Sequence, residues 1–103
     1  MKKLLLIGLL GFSSLAHADY CMSIKEFSST LMDARQRGVA EKIAHEILIQ
    51  NKPSSYEDFR VLDSLIDWVY TIPVMDSSTE KKVVIYDFAD SAYKTCEQFE
   101  GVK

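Results

Sequence analysis

Two cysteines, Cys21 and Cys96, are the whole cysteine complement of this chain, and they stand near opposite ends of it. If they are joined, the first and last elements of the fold must meet, with the two Cα atoms within about 7 Å. Few arrangements of successive elements satisfy that condition. An up-down-up-down set of four helices does, because its first helix begins at the end of the bundle where its fourth finishes. The chain-entropy account gives such a long closed loop about 4.5 kcal/mol of stabilisation, comparable to the whole stability of a small domain. Free thiols or a reactive or metal-binding pair are the alternatives. The latter usually carries CxxC or nearby histidine spacing, which neither cysteine has.

Pairing requires an oxidising compartment, and the N-terminus points to one. Lys2 and Lys3 precede the apolar run from Leu4 to Phe12, Ser13 and Ser14 break it, and Ala16-His17-Ala18 places small residues at −3 and −1 of a cleavage site. Residues 1–18 are therefore expected to be a signal peptide and residues 19–103 a single exported domain. The apolar run is shorter than the roughly 20 residues that span a bilayer. Cys21 is not the first residue after the cleavage motif, as a lipid anchor requires, so no membrane anchor is expected after cleavage. Periplasmic location follows as the expectation.

The remainder reads as helix throughout. Ser23-Ile24-Lys25-Glu26 fits a capping box, in which Ser caps a backbone N–H and Glu reaches back. Ile24, Phe27, Leu31 and Ala34 recur at helical spacing up to Arg35 and Arg37, and Gly38 is placed to close the helix. A first helix over about 23–37 is expected. A second, over about 40–50, has Val39, Ile43, Ala44, Ile47 and Leu48 as its apolar stripe. A second box, Ser54-Ser55-Tyr56-Glu57, opens a third helix to about Thr71, with Phe59, Leu62, Leu65, Ile66 and Val69 inward and Pro73 beyond its end. Ser77-Ser78-Thr79-Glu80 opens a fourth, carrying Val84, Ile85, Phe88, Ala89, Ala92, Cys96 and Phe99, with Gly101 as terminator. The expected fold is all-α: a small antiparallel bundle of about four helices, stapled by one disulfide. A three-helix domain with the second helix frayed or packed crosswise is its main rival.

No arrangement of residues points to catalysis. His45 is the one histidine past the leader, one turn from Glu41. HExxH, GxSxG and a phosphate-cradling glycine loop are absent. A helical histidine with a carboxylate four residues before it can be half of a metal site, but Asp33, Glu41, Asp63, Asp67 and Asp87 read as solvated helix faces, and His45 as a polar-face residue. No catalytic residue, cofactor or metal site is expected. With Lys2 and Lys3 removed from the 12 basic residues, 10 face 15 acidic ones, a balance that disfavours nucleic acid as a partner. Trp68 and Tyr86 fall off the apolar stripes and mark a candidate partner surface, the alternative being that they close the edge of the bundle.

Cys21, the stretch Met32-Asp33-Ala34-Arg35-Gln36-Arg37-Gly38-Val39, Val69-Tyr70 with Pro73, and Phe88, Tyr93 and Cys96 form a pattern. It resembles a group of small exported proteins of Gram-negative bacteria and their phages. These share an opening Cys, Arg-Gln-x-Gly, a Tyr–Pro element and a closing Tyr-x-x-Cys. The resemblance implies an exported helical domain and no assigned activity. It gives Arg35, Gln36 and Gly38 a structural role at the end of a helix. In size, helicity and single disulfide the chain is also similar to acid-stress periplasmic chaperones, whose cysteines lie closer together. The functional expectation is a soluble periplasmic, non-catalytic binding protein with a protein partner in the cell envelope, of the immunity or inhibitor kind. An acid-stress chaperone is the alternative, and a small enzyme is disfavoured.

Overall fold

The computed structural model describes residues 17–102, and the side chains of residues 20–98. The charged and apolar zones of the leader read at 1–18 lie outside these residues. Among the described residues four helices follow one another: α1 (His17–Gln36), α2 (Glu41–Gln50), α3 (Tyr56–Val69) and α4 (Ser78–Val102). No strand occurs among the described residues. Cys21 and Cys96 form a disulfide with their Cα atoms 5.6 Å apart.

The longest interface joins α1 to α4, and its register is fixed at both ends. The disulfide ties the start of α1 to the end of α4. At the other end, the Lys81 ammonium donates to the Gln36 carbonyl over 3.0 Å. Between them the Lys25 ammonium lies 5.6 Å from the centre of the Tyr93 ring. The two helices thus run antiparallel, with residues advancing on α1 as they retreat on α4. Cys21, Ile24, Ser28, Leu31, Met32 and Gln36 make the buried face of α1, and Phe88, Ala89 and Ala92 that of α4. One core draws on all four helices, including Ala44 and Leu48 of α2 and Leu62, Leu65, Ile66 and Val69 of α3. The second helix is a member of the bundle, though it packs chiefly on α3.

Helix ends follow local chemistry. Gly38 has φ +88°, and the Gly38 and Val39 amides donate back to the Arg35 and Ala34 carbonyls, both at 3.0 Å. This is the Schellman closure expected of a glycine at that place. The Ser77–Glu80 box forms in full: the Glu80 amide donates to Ser77 Oγ at 3.1 Å, and the Ser77 amide to Glu80 Oε1 at 3.3 Å.

Three boundaries differ from expectation. α1 begins at His17, so Ser23 and Glu26 lie inside it and form no box. Extending the helix joins Cys21 to the buried face, which a start at residue 23 leaves out. At α3 the cap is Ser55, whose side chain accepts from the Asp58 amide at 3.0 Å. Ser55 has extended dihedrals and fits the cap; the box beginning at Ser54 is shifted by one residue. α4 runs through Gly101 to Val102, so that glycine does not terminate it. The Phe99 side chain, expected in the stripe, lies outside the described side chains.

Candidate functional site

The end of the bundle opposite the disulfide is a polar knot. The Gln36 side chain is buried, and its amide is used from both sides: Nε2 donates to the Pro73 carbonyl at 3.1 Å, and Oε1 accepts from the Met75 amide at 2.8 Å. Arg35 Nε donates to the Ile72 carbonyl at 2.9 Å, with its guanidinium 5.0 Å from the centre of the Tyr70 ring. The Tyr70 hydroxyl donates to the Val39 carbonyl at 2.7 Å. Burial raises the Tyr70 phenol above its ordinary pKa, against the nearby Arg35 charge. The Arg-Gln-x-Gly and Tyr–Pro residues therefore meet, 37 positions apart in the Arg35–Ile72 and Gln36–Pro73 bonds. What they do is hold the α3–α4 connection onto the end of α1. The knot offers no nucleophile paired with a base.

Trp68 and Tyr86 are both exposed and stand on different helices, α3 and α4. The Trp68 ring meets buried Phe88 edge-on, with centroids 4.6 Å apart, and is 38 % exposed. Tyr86 is two residues from Phe88 on α4, so helical geometry sends it to the opposite side, where it is 65 % exposed. Trp68 closes the α3–α4 seam. Tyr86 stands in solvent near exposed Val83.

An apolar strip that the sequence assigned to the core is open instead. On α2, Ala44 and Leu48 are buried, while Ile43 and Ile47 remain 44 % and 42 % exposed. These two isoleucines are one turn apart on the same flank. The flank is uncovered because α2 has α3 as its main neighbour, whereas a fully surrounded bundle helix would bury the whole stripe.

The carboxylates expected to be solvated separately converge. His45 of α2 faces α3, with Nδ1 2.7 Å from Asp63 Oδ1. Its Nε2 lies 3.2 Å from Glu41 Oε2 and 3.4 Å from Asp67 Oδ1. Burial works against the imidazolium, but hydrogen bonds to Glu41 and Asp63 and the charges of Asp63 and Asp67 outweigh it and raise the pKa above the ordinary 6.5. Glu41, His45 and Asp67 each offer a ligand atom, all within 4.8 Å of one another, and are the residues here able to hold a metal ion.

Glu41 and Asp67 are exposed, as solvated helix faces are expected to be, but with His45 and Asp63 they meet across α2 and α3, which a reading of each helix alone does not show. The signal of this grouping in the sequence was a pair of i,i+4 spacings, Glu41/His45 and Asp63/Asp67, on consecutive helices joined by a short loop. Each spacing alone is commonplace. Only the hairpin of α2 and α3 turns them toward each other.

Among the described residues no helix is long and apolar enough to cross a membrane. Comparison of the chain with protein-family models, curated proteins and solved structures finds no match.

Proposed function

We propose that this chain is exported to the periplasm and acts there as a non-catalytic binding protein. It engages a protein of the cell envelope, as an immunity or inhibitor protein does. The observation that carries the reading is the exposed Ile43–Ile47 flank of α2. Large aliphatic side chains in adjacent turns expose apolar surface that association removes from water. Export is supported by the leader pattern of residues 1–18 and by the disulfide, which persists in oxidising compartments. After cleavage the chain carries an acidic excess of five charges, 15 acidic residues against 10 basic once Lys2 and Lys3 leave the 12. That field speeds encounter with a basic target and repels an acidic one.

The test is affinity capture from periplasmic extract, with the mature chain and its Ile43→Lys/Ile47→Lys variant as parallel baits. Circular dichroism first establishes that both are equally helical. A protein retained by the native bait and lost by the variant supports the reading. Retention of nothing specific, or equal retention by both baits, overturns it. Suppression of client aggregation at about pH 2–3, below the ordinary carboxyl pKa values, by both proteins alike would favour an acid-stress chaperone instead.

A further inference from the structure

The two nitrogens of His45 are used in different ways. Nδ1 makes the shorter contact, 2.7 Å to Asp63. A neutral imidazole carries one N–H, and donating it from Nδ1 to this carboxylate leaves the Nε2 lone pair facing outward. What it faces is two further carboxylates, Glu41 at 3.2 Å and Asp67 at 3.4 Å. A lone pair beside two anions favours a cation among them. A proton on Nε2 is one solution. The spacing fits another.

We infer that Nε2 of His45, with the carboxylates of Glu41 and Asp67, forms a zinc site bridging α2 and α3, with Asp63 as the group that orients the imidazole. Zinc holds nitrogen and oxygen ligands at about 2.0–2.1 Å, and tetrahedral donors at that radius stand about 3.3 Å from one another. The two separations at Nε2 lie on either side of that value. The third, between the carboxylates, is within 4.8 Å. Both carboxylates have room to close it, since the Glu41 and Asp67 side chains are 47 % and 64 % exposed. A histidine whose far nitrogen donates to a carboxylate is the usual partner arrangement around protein-bound zinc. The imidazole also sets the choice of metal. Calcium and magnesium favour oxygen ligands alone, whereas imidazole suits zinc and its neighbours.

Three protein ligands leave a fourth position open to water. The chain supplies ligands one turn apart on α2 and a third from α3, so the ion ties α2 to the helix on which it chiefly packs. Its predicted consequence is structural: zinc holds α2 in place.

The experiment uses the mature, disulfide-bonded chain and zinc alone, titrated near pH 7.5 in competition with a chromophoric chelator. One zinc per chain is expected, with a rise in melting temperature. His45→Gln and Asp67→Asn should each weaken binding by about tenfold or more, and Asp63→Asn by about 10–100-fold. Asp67 is largely exposed, so its variant tests the site without disturbing the core. Cobalt in place of zinc should give the intense visible absorption of a tetrahedral ion. Equal zinc affinity in the native chain, His45→Gln and Asp67→Asn, or an unchanged melting temperature with zinc, overturns the assignment.

Discussion

Ser28 lies at 0 % exposure in the middle of α1, and its hydroxyl has no hydrogen-bond partner. The register set by the disulfide places it opposite Ala89. Both are small residues of the buried faces of α1 and α4, and Ser28 carries a buried, unpaired oxygen there. Leaving a hydroxyl unsatisfied costs about 1–3 kcal/mol, and alanine is the better helix former. Ser28→Ala should therefore stabilise the protein by about 1 kcal/mol, read as a higher urea midpoint with unchanged m-value. A lower midpoint would show that the hydroxyl has a partner in solution. Gln36 is the opposite case. It is equally buried, but both ends of its amide are paired with backbone groups of the α3–α4 connection, so its polarity organises that loop.

At the scale of elements, the helices differ in what holds them. α4 owes its start to the Ser77–Glu80 box. Removing such a cap costs about 0.5–2 kcal/mol, and Ser77→Ala should lower thermal stability by an amount in that range. α2 depends on its neighbour. In metal-free protein the His45 imidazolium, held by Asp63, Glu41 and Asp67, joins α2 to α3. Its folded pKa is raised above 6.5, so the charged ring favours the folded state. That contribution is complete below the ordinary pKa and is lost as pH rises through the raised one. With a chelator present, His45→Gln should destabilise the protein more at about pH 5.5 than at about pH 8.5, pH values on either side of the ordinary histidine range. Nuclear magnetic resonance titration of the ring should place its midpoint above that of a free histidine. An equal loss at both pH values would show that folding does not raise the pKa of the ring.

For the whole molecule the disulfide is the long-range constraint. It closes a loop with a sequence separation of 75, nearly the entire described chain. The reduction in unfolded-state freedom is correspondingly large, in a domain small enough to have limited core. Cys21→Ser/Cys96→Ser should lower stability by about 2–5 kcal/mol, measured by denaturant unfolding of oxidised native protein against the variant. The helical spectrum should persist, because the knot around Gln36 and the Lys81–Gln36 contact hold the far ends of α1 and α4. A loss well below 1 kcal/mol would mean that the unfolded chain is already compact enough to keep the two cysteines close.

Periodicity alone determined the helices and most of their inward faces, since burying one stripe of a 3.6-residue repeat is a local property of each segment. Leu62, Leu65, Ile66 and Val69 of α3 and Phe88, Ala89 and Ala92 of α4 are buried as their spacing indicates. The cysteine pair determined which ends meet, because a covalent link of fixed reach leaves little choice of topology. Local signals were weaker at helix starts. Serine–glutamate spacings occur inside helices as readily as at their ends, and Ser23 and Glu26 are such a pair within α1. What one segment's pattern could not decide was how much of each stripe finds a neighbour. Ile43 and Ile47 carry the same periodic signal as Ala44 and Leu48, and only the placement of α2 against α3 leaves them in water. The same placement brings Glu41, His45, Asp63 and Asp67 together. Their side chains come from two helices, and the distance between helices is set by packing, which a sequence read one segment at a time does not contain.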